Sequence, residues 1–315
     1  AMRKGRNLRK DFSDLRWLTA RHIKLFFKDK QTFFMSLITP LILVALFVLF
    51  LRSVYLSTLA ASLPRGFELP DRLADGFVAG WLISSVLGAC SVTLAFCSQT
   101  IMVSDKVNGR IQDFRIAPVK PTVLSVSYFA ATYFSTLLVC LVCLLLGFVY
   151  IAACGWYMTV SDVAGIVGNL LLSTAFGALL AVIVEHFLRT MGAANAAATL
   201  VSSLYGFVCG AYMPVSQFAA GIRNAVAFVP GTYGTVLFRR FFLRGALAEM
   251  EKILPAEAVA GIGDAFDFQF YFFGNPVSPS ACFAVLAVSV LLLACVYIAI
   301  VALGGRKKRG KRRGK

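Results

Sequence analysis

Cutting the chain at every Asp, Glu, Lys and Arg leaves six uncharged runs of 19 or more residues: 31–51, 76–104, 121–161, 163–184, 190–222 and 268–305. A hydrocarbon core about 30 Å thick takes about 20 helical residues at ~1.5 Å each, so each run supplies one spanning helix. The run 121–161 is counted once, because two spans and a turn would leave each barely long enough. The pattern predicts an all-α integral membrane protein, a transmembrane domain over 33–304 with six transmembrane helices at about 33–51, 78–103, 123–152, 163–184, 190–212 and 279–303.

The stretches between the runs have their own patterns. In the terminal segment 1–32, Leu8, Phe12, Leu15, Leu18, Ile23, Leu25 and Phe26 recur near helical spacing among Arg9, Lys10, Arg16, Arg21, Lys24 and Lys28. That predicts an amphipathic helix lying in the membrane interface. Residues 52–75 read as a loop on the other side. In the polar island 104–121, Val107, Ile111 and Phe114 fall at i, i+4 and i+7, one stripe of a short helix ringed by Asp105, Lys106, Asn108, Arg110 and Asp113. Such a stripe suits either insertion into a partner's groove or an apolar face resting on the membrane. The insertion 213–278 is expected to hold a re-entrant or interfacial helix that starts at Pro214 and is ended by Pro230 and Gly231, with Phe218, Ile222, Val226 and Val229 as its stripe. The tail 305–315 is basic and suits an anionic lipid surface.

Composition agrees: 59% of the 315 residues are hydrophobic and the mean hydropathy is +0.78, beyond what a soluble core can hide. Charge then orients the chain. Both termini and the loops at 104–121 and 185–189 hold 23 of the 31 Lys and Arg but 6 of the 15 acids. This bias predicts a multi-pass protein of the cell membrane with both termini cytoplasmic; a bacterial plasma membrane is the expected setting. It also accounts for the net charge of +16 without nucleic acid as a partner.

Catalytic chemistry is not suggested. There are two histidines, no H-E-x-x-H and no G-x-S-x-G, and none of the eight cysteines has a convincing metal partner. Gly305 to Lys311 has the spacing of a phosphate loop, but Arg312 stands where Ser or Thr is needed. Cys140 and Cys143, in mid-span, read as small apolar fillers. Within the spans, Ser84, Ser91, Ser98 and Gln99 of the second and Asn195, Thr199, Ser202 and Tyr205 of the fifth mark helices that pack on protein or line a path.

The run Asp105-Lys106-Val107-Asn108-Gly109-Arg110-Ile111-Gln112-Asp113-Phe114-Arg115-Ile116-Ala117-Pro118-Val119 resembles the loop between spans two and three in the type-2 (ABC-2-like) permease subunits of ATP-binding-cassette exporters. Asp105, Lys106, Gly109, Asp113, Phe114 and Pro118 match that pattern, whereas Arg110 replaces a small hydroxyl residue. A second likeness runs from Gly210-Ala211-Tyr212-Met213-Pro214-Val215 through Val229-Pro230-Gly231-Thr232-Tyr233 to Arg239, similar to the family's outer segment after span five. The resemblance implies a cytoplasmic coupling helix that docks on an ABC ATPase subunit, two copies per complex, with ATP and Mg on that partner and no cofactor on this chain. It also implies a homodimer, or a heterodimer with a related permease, joined through spans two and five, and outer gate candidates at Met213, Pro214, Phe218 and Tyr233. By the same resemblance the chain is a transport subunit, not an enzyme. The apolar, hydroxyl-bearing path favours a hydrophobic or amphipathic small molecule, drug-like, lipid-like or a natural product, as in multidrug efflux. A cell-envelope polysaccharide or lipid-linked glycan is the alternative substrate. An ATP-independent channel or transporter and a membrane-embedded enzyme are the alternative classes.

Overall fold

The computed structural model describes residues 2–313 except Arg65 and Pro118. Helices dominate. The basic, amphipathic N-terminal segment forms α1 (Met2–Lys28), and after Asp29 the chain continues as α2 (Lys30–Leu46), a π-helical turn (Phe47–Leu51) and α3 (Arg52–Ala61). The remaining helices are α4 (Asp71–Val107), α5 (Arg110–Ile116), α6 (Pro121–Cys154), α7 (Val160–Phe187), α8 (Met191–Val208), α9 (Ala220–Val226), α10 (Pro230–Met250), α11 (Ala256–Ala265) and α12 (Pro279–Arg313). Strands β1 (Phe270–Phe272) and β2 (Asn275–Val277) pair antiparallel in a short hairpin. Among the described residues six helices are long and apolar enough to span a membrane, over Ser36–Ala61, Asp71–Val107, Pro121–Cys154, Val160–Phe187, Met191–Val208 and Pro279–Leu303. The chain is an all-α multi-pass membrane protein.

Helix α4 is the axis of the bundle. Its apolar and small residues are spread all round, and correspondingly it is enclosed all round, against α6, α7, α8 and α10. Small residues permit that crowding. A Cβ on Gly177 of α7 would sit well inside contact distance of the Ser91 carbonyl, and one on Gly88 would strike Thr235 of α10. The outer helices instead turn apolar side chains to the surroundings, as Leu145, Leu146 and Val149 of α6 and Leu291 and Leu292 of α12 do. That is the arrangement expected of a lipid-facing surface. The first helix and the latter part of the last lie at one end of the bundle, since α1 packs along the start of α6 while Tyr297 of α12 donates to the Ser125 carbonyl at 2.8 Å. We call this the terminal end and the other the far end.

Three boundaries differ from the sequence pattern. The first span does not stop before Arg52: α3 carries the helix on to Ala61, because Arg52 pairs with Asp75 of α4 at 2.6 Å and so loses its reason to leave the helix. The fifth span is short and is completed by another segment. Helix α8 ends at Val208, and Pro230 starts α10 there instead of ending a helix; Thr232 Oγ1 donates to the Val208 carbonyl at 3.2 Å. Pro at the first helical turn loses no hydrogen bond, which makes the same residue a start signal. Between them lie a 3₁₀ turn (Val215–Gln217) and α9, so the helix expected from Pro214 to Val229 is two short pieces. From there α10 runs to the far end, with Thr235 beside Gly88 and Phe242 beside Gly80. Much of the expected outer insertion is thus bundle interior.

Candidate functional site

Two charged hubs hold α4, one toward each end. At the terminal end, Asp105 is buried and accepts four hydrogen bonds from three side chains: Arg21 Nη1 at 2.9 Å and Nη2 at 3.2 Å, Tyr128 Oη at 2.8 Å and Arg110 Nη1 at 3.3 Å. The Arg21 fork is the bidentate geometry that makes a carboxylate pair strong and directional. His22 stacks on Tyr128 with centroids 4.2 Å apart, and its Nδ1 lies 3.1 Å from Arg21 Nη1. Burial, helped by the Arg21 charge, pushes the imidazole down to about 4. It is therefore neutral at neutral pH, with Nδ1 free to accept. Leu18, His22 and Phe26 are the buried stripe of α1, spaced by four residues.

Arg21 also reaches α5. Its guanidinium carbon lies 5.0 Å from the centre of the Phe114 ring, a cation–π contact. One side chain of α1 thereby touches both the axis helix and the short helix. Lys106, next in the chain, turns the other way and donates to the carbonyls of Glu185, His186 and Leu188 at 2.8, 2.8 and 3.0 Å. It caps the end of α7, satisfying carbonyls that the helix leaves without partners.

These positions correct the stripe expected across the island. Gly109 takes φ +74°, a left-handed conformation that costs glycine little, and ends α4 after Val107 and Asn108. Val107 is therefore on the last turn of α4, and only Ile111 and Phe114 share α5. Phe114 and Ile111 are half-buried, whereas Val107 is 52% exposed and Ile116 is 86% exposed. Asp105 and Lys106 are spent on holding helices together and are not free for a partner, while Asn108, Arg110 and Asp113 are exposed. Pro118 lies outside the described residues. Reading the stripe by spacing alone missed Ile116 and the role of Arg21. A signal for the latter was present, in the polar His22 interrupting the apolar stripe of α1.

The far-end hub is Arg239 of α10, completely buried. Its Nη1 lies 2.6 Å from Asp267, Nη2 donates to the Gly210 carbonyl and to Ser85 Oγ (3.3 Å), and the guanidinium lies 4.8 Å from the Trp81 ring centre. Asp267 in turn accepts from the backbone N–H groups of Val215 and of Ser216 (2.9 Å). A buried charge is tolerable only with such partners. Met213 and Pro214 lie in the turn pinned by this hub, Phe218 is half-buried just beyond it, and Tyr233 donates to the Ala227 carbonyl at 2.8 Å.

The hydroxyl-bearing residues divide. Ser84, Ser91, Ser98 and Gln99 are enclosed by the chain's own helices; Ser84 and Ser91 donate to the carbonyls of Trp81 and Gly88, and Thr132 donates to Gln99. In this conformation they lie inside the chain's own bundle. On α8, Asn195 and Thr199 are exposed, Ser202 is half-buried and Tyr205 is buried against Gly231. All eight cysteines carry free thiols.

The model of a family described as ABC-2 type transporter matches residues 13–243. No curated protein and no solved structure matches the chain. The match begins within α1, takes in both charged hubs' helices and α5, and ends within α10, about three quarters of the chain. With six apolar helices and a short polar helix wired to the axis of the bundle, this chain belongs to the ABC-2 type transporter family and is a membrane permease of an ABC-type transporter.

Proposed function

We propose that the chain is the export permease of a complex driven by ATP hydrolysis on two copies of a separate ABC ATPase, which carry the ATP and Mg. The terminal end faces the cytoplasm of a bacterial cell, and α5 is the element on which each ATPase docks. The observation that carries this reading is the wiring of α5. Its exposed Ile116, on the same short helix as the exposed Arg110 and Asp113, offers an apolar contact point, and Val107 at the end of α4 is exposed as well. Behind it, Phe114 rests on Arg21, which is forked onto Asp105 of α4. A displacement of α5 by a partner thus passes to α1 and to the helix that touches the rest of the bundle.

The second half of the permease is another copy, or a relative, seated on α8. Asn195, Thr199, Leu200, Ser203 and Leu204 are exposed together there, and hydroxyl and amide groups on a membrane-facing helix are better satisfied by protein than by lipid. The substrate is a hydrophobic or amphipathic small molecule, in keeping with apolar spans whose polar groups are hydroxyls and amides. Met213, Pro214, Phe218 and Tyr233, held around the far-end hub, form the outer gate.

The test is affinity purification of the tagged chain from its native host in mild detergent, beside Ile116→Asp. A soluble ATPase with Walker motifs retained by the parent and lost from the variant is the expected result. Parent protein that emerges without an ATPase, under conditions that preserve known complexes, would overturn the reading. Solute flux in liposomes holding this chain alone would then favour an ATP-independent transporter.

A further inference from the structure

Between α1 and the start of α6 runs an open groove of about 610 Å³. Its walls are Phe12 and Leu15 of α1 and Thr122, Val123 and Val126 of α6, and Arg9 and Asp11 stand at its rim. Asp11 is already paired with Lys120, so the rim carries the charge of Arg9, which has no paired acid among the described residues. Lys10 and Arg16, both exposed, lie on the same helix.

We infer that this groove holds one anionic phospholipid of the leaflet at the terminal end, an acyl chain between α1 and α6 and the phosphate at Arg9. Three observations agree on that occupant. The groove is apolar inside and cationic at its mouth, the polarity of a lipid that enters tail first. It opens where α6 begins its span, and the exposed stripe of Val126, Phe134, Leu138 and Leu145 continues from it along α6, so a chain lying there merges with the bilayer. The helix forming its other wall is basic and amphipathic, the type that binds a membrane by apolar insertion plus attraction to anionic headgroups. Phe12 is 71% exposed in the protein alone, and the lipid covers it. A lipid here clamps α1 to α6 two turns before Arg21 and makes the seating of that residue depend on leaflet composition.

The experiment is native mass spectrometry of the purified full chain, delipidated and then offered phosphatidylglycerol or phosphatidylcholine of equal chain length. The parent should retain phosphatidylglycerol about fivefold better, the preference that roughly one basic side chain near a phosphate confers. Val123→Trp, which fills the groove, and Leu15→Gln, which makes its wall polar without adding bulk, should each cut retention about tenfold. The second keeps the test valid if the first misfolds, as judged by size-exclusion profile. Arg9→Gln should abolish the preference while leaving some retention of both lipids. Equal retention of the two lipids by the parent, unchanged phosphatidylglycerol binding in both groove variants, or a second protein chain displaced by Val123→Trp would each overturn the inference.

Discussion

Replacing Arg21 with alanine should loosen α1 from the bundle by an amount the geometry allows us to estimate. The substitution removes two charge-assisted hydrogen bonds to a carboxylate whose side chain is 1% exposed, and a cation–π contact with Phe114. Stranding a buried partner in this way costs about 3–5 kcal/mol when the pair is fully enclosed. Arg21 itself is 31% exposed, and Arg110 remains 3.3 Å from the carboxylate, so solvent and a second cation soften the loss. About 2 kcal/mol is a reasonable expectation, equivalent to a change of about 30-fold in a local opening equilibrium. The assay is amide hydrogen exchange of residues 15–28 in the detergent-solubilised protein, which reads local opening without requiring reversible global unfolding. Adding Asp105→Asn to Arg21→Ala removes the stranded charge and should restore a good part of the protection, the signature of a coupled pair in a double-mutant cycle. An Arg21→Ala protein that exchanges within about threefold of the parent, or a double variant that opens further still, would refute the argument.

Other consequences follow from the same contacts. Gly177→Ala should lower the apparent melting temperature by several degrees, because a Cβ there meets the backbone of α4 at Ser91, whereas Gly168→Ala, with nothing within 4 Å, should leave it unchanged or raise it. Arg239→Met should expose the far-end segment 251–278 to limited proteolysis, since it strands Asp267 in a buried site at a cost of about 3–5 kcal/mol; a cleavage rate equal to the parent's would count against the hub. The imidazole of His22 is held below its unfolded value, so the unfolded chain binds more protons between about pH 4 and 6.5. Its contribution is full above pH 6.5 and lost as the pH falls toward 4. The melting temperature of the parent should therefore drop over that window by more than that of His22→Gln.

Much of the fold is legible from the chain because lipid permits few solutions: an uncharged run of 20 residues in a bilayer is a helix, and six such runs are six crossings. What spacing does not reveal is how charges are used. Arg52 and Arg239 look like surface residues in a sequence, and each is tied to an acid of another element, Asp75 and Asp267; Arg52 stays partly exposed, whereas Arg239 is fully buried. Pro230 is ambiguous locally, since proline both starts and stops helices; only the buried surface of α10 decides it. At the site, the island 104–121 was recognisable from its pattern, yet the left-handed Gly109 shifts Val107 off the short helix. Asp105 and Lys106 then serve the bundle, while Ile116 is left facing outward.

The central claim is that a separate ATPase sits on α5. A photo-reactive amino acid in place of Ile116, with one in place of Ile222 on the exposed far-end helix α9 as control, tests it in the native host without purification of a fragile complex. Irradiation should join the Ile116 position to a soluble protein bearing Walker motifs and leave the Ile222 position without that product. Absence of the ATPase adduct at Ile116 in cells where the probe is incorporated and the protein is membrane-inserted, or its equal appearance at Ile222, would contradict the account.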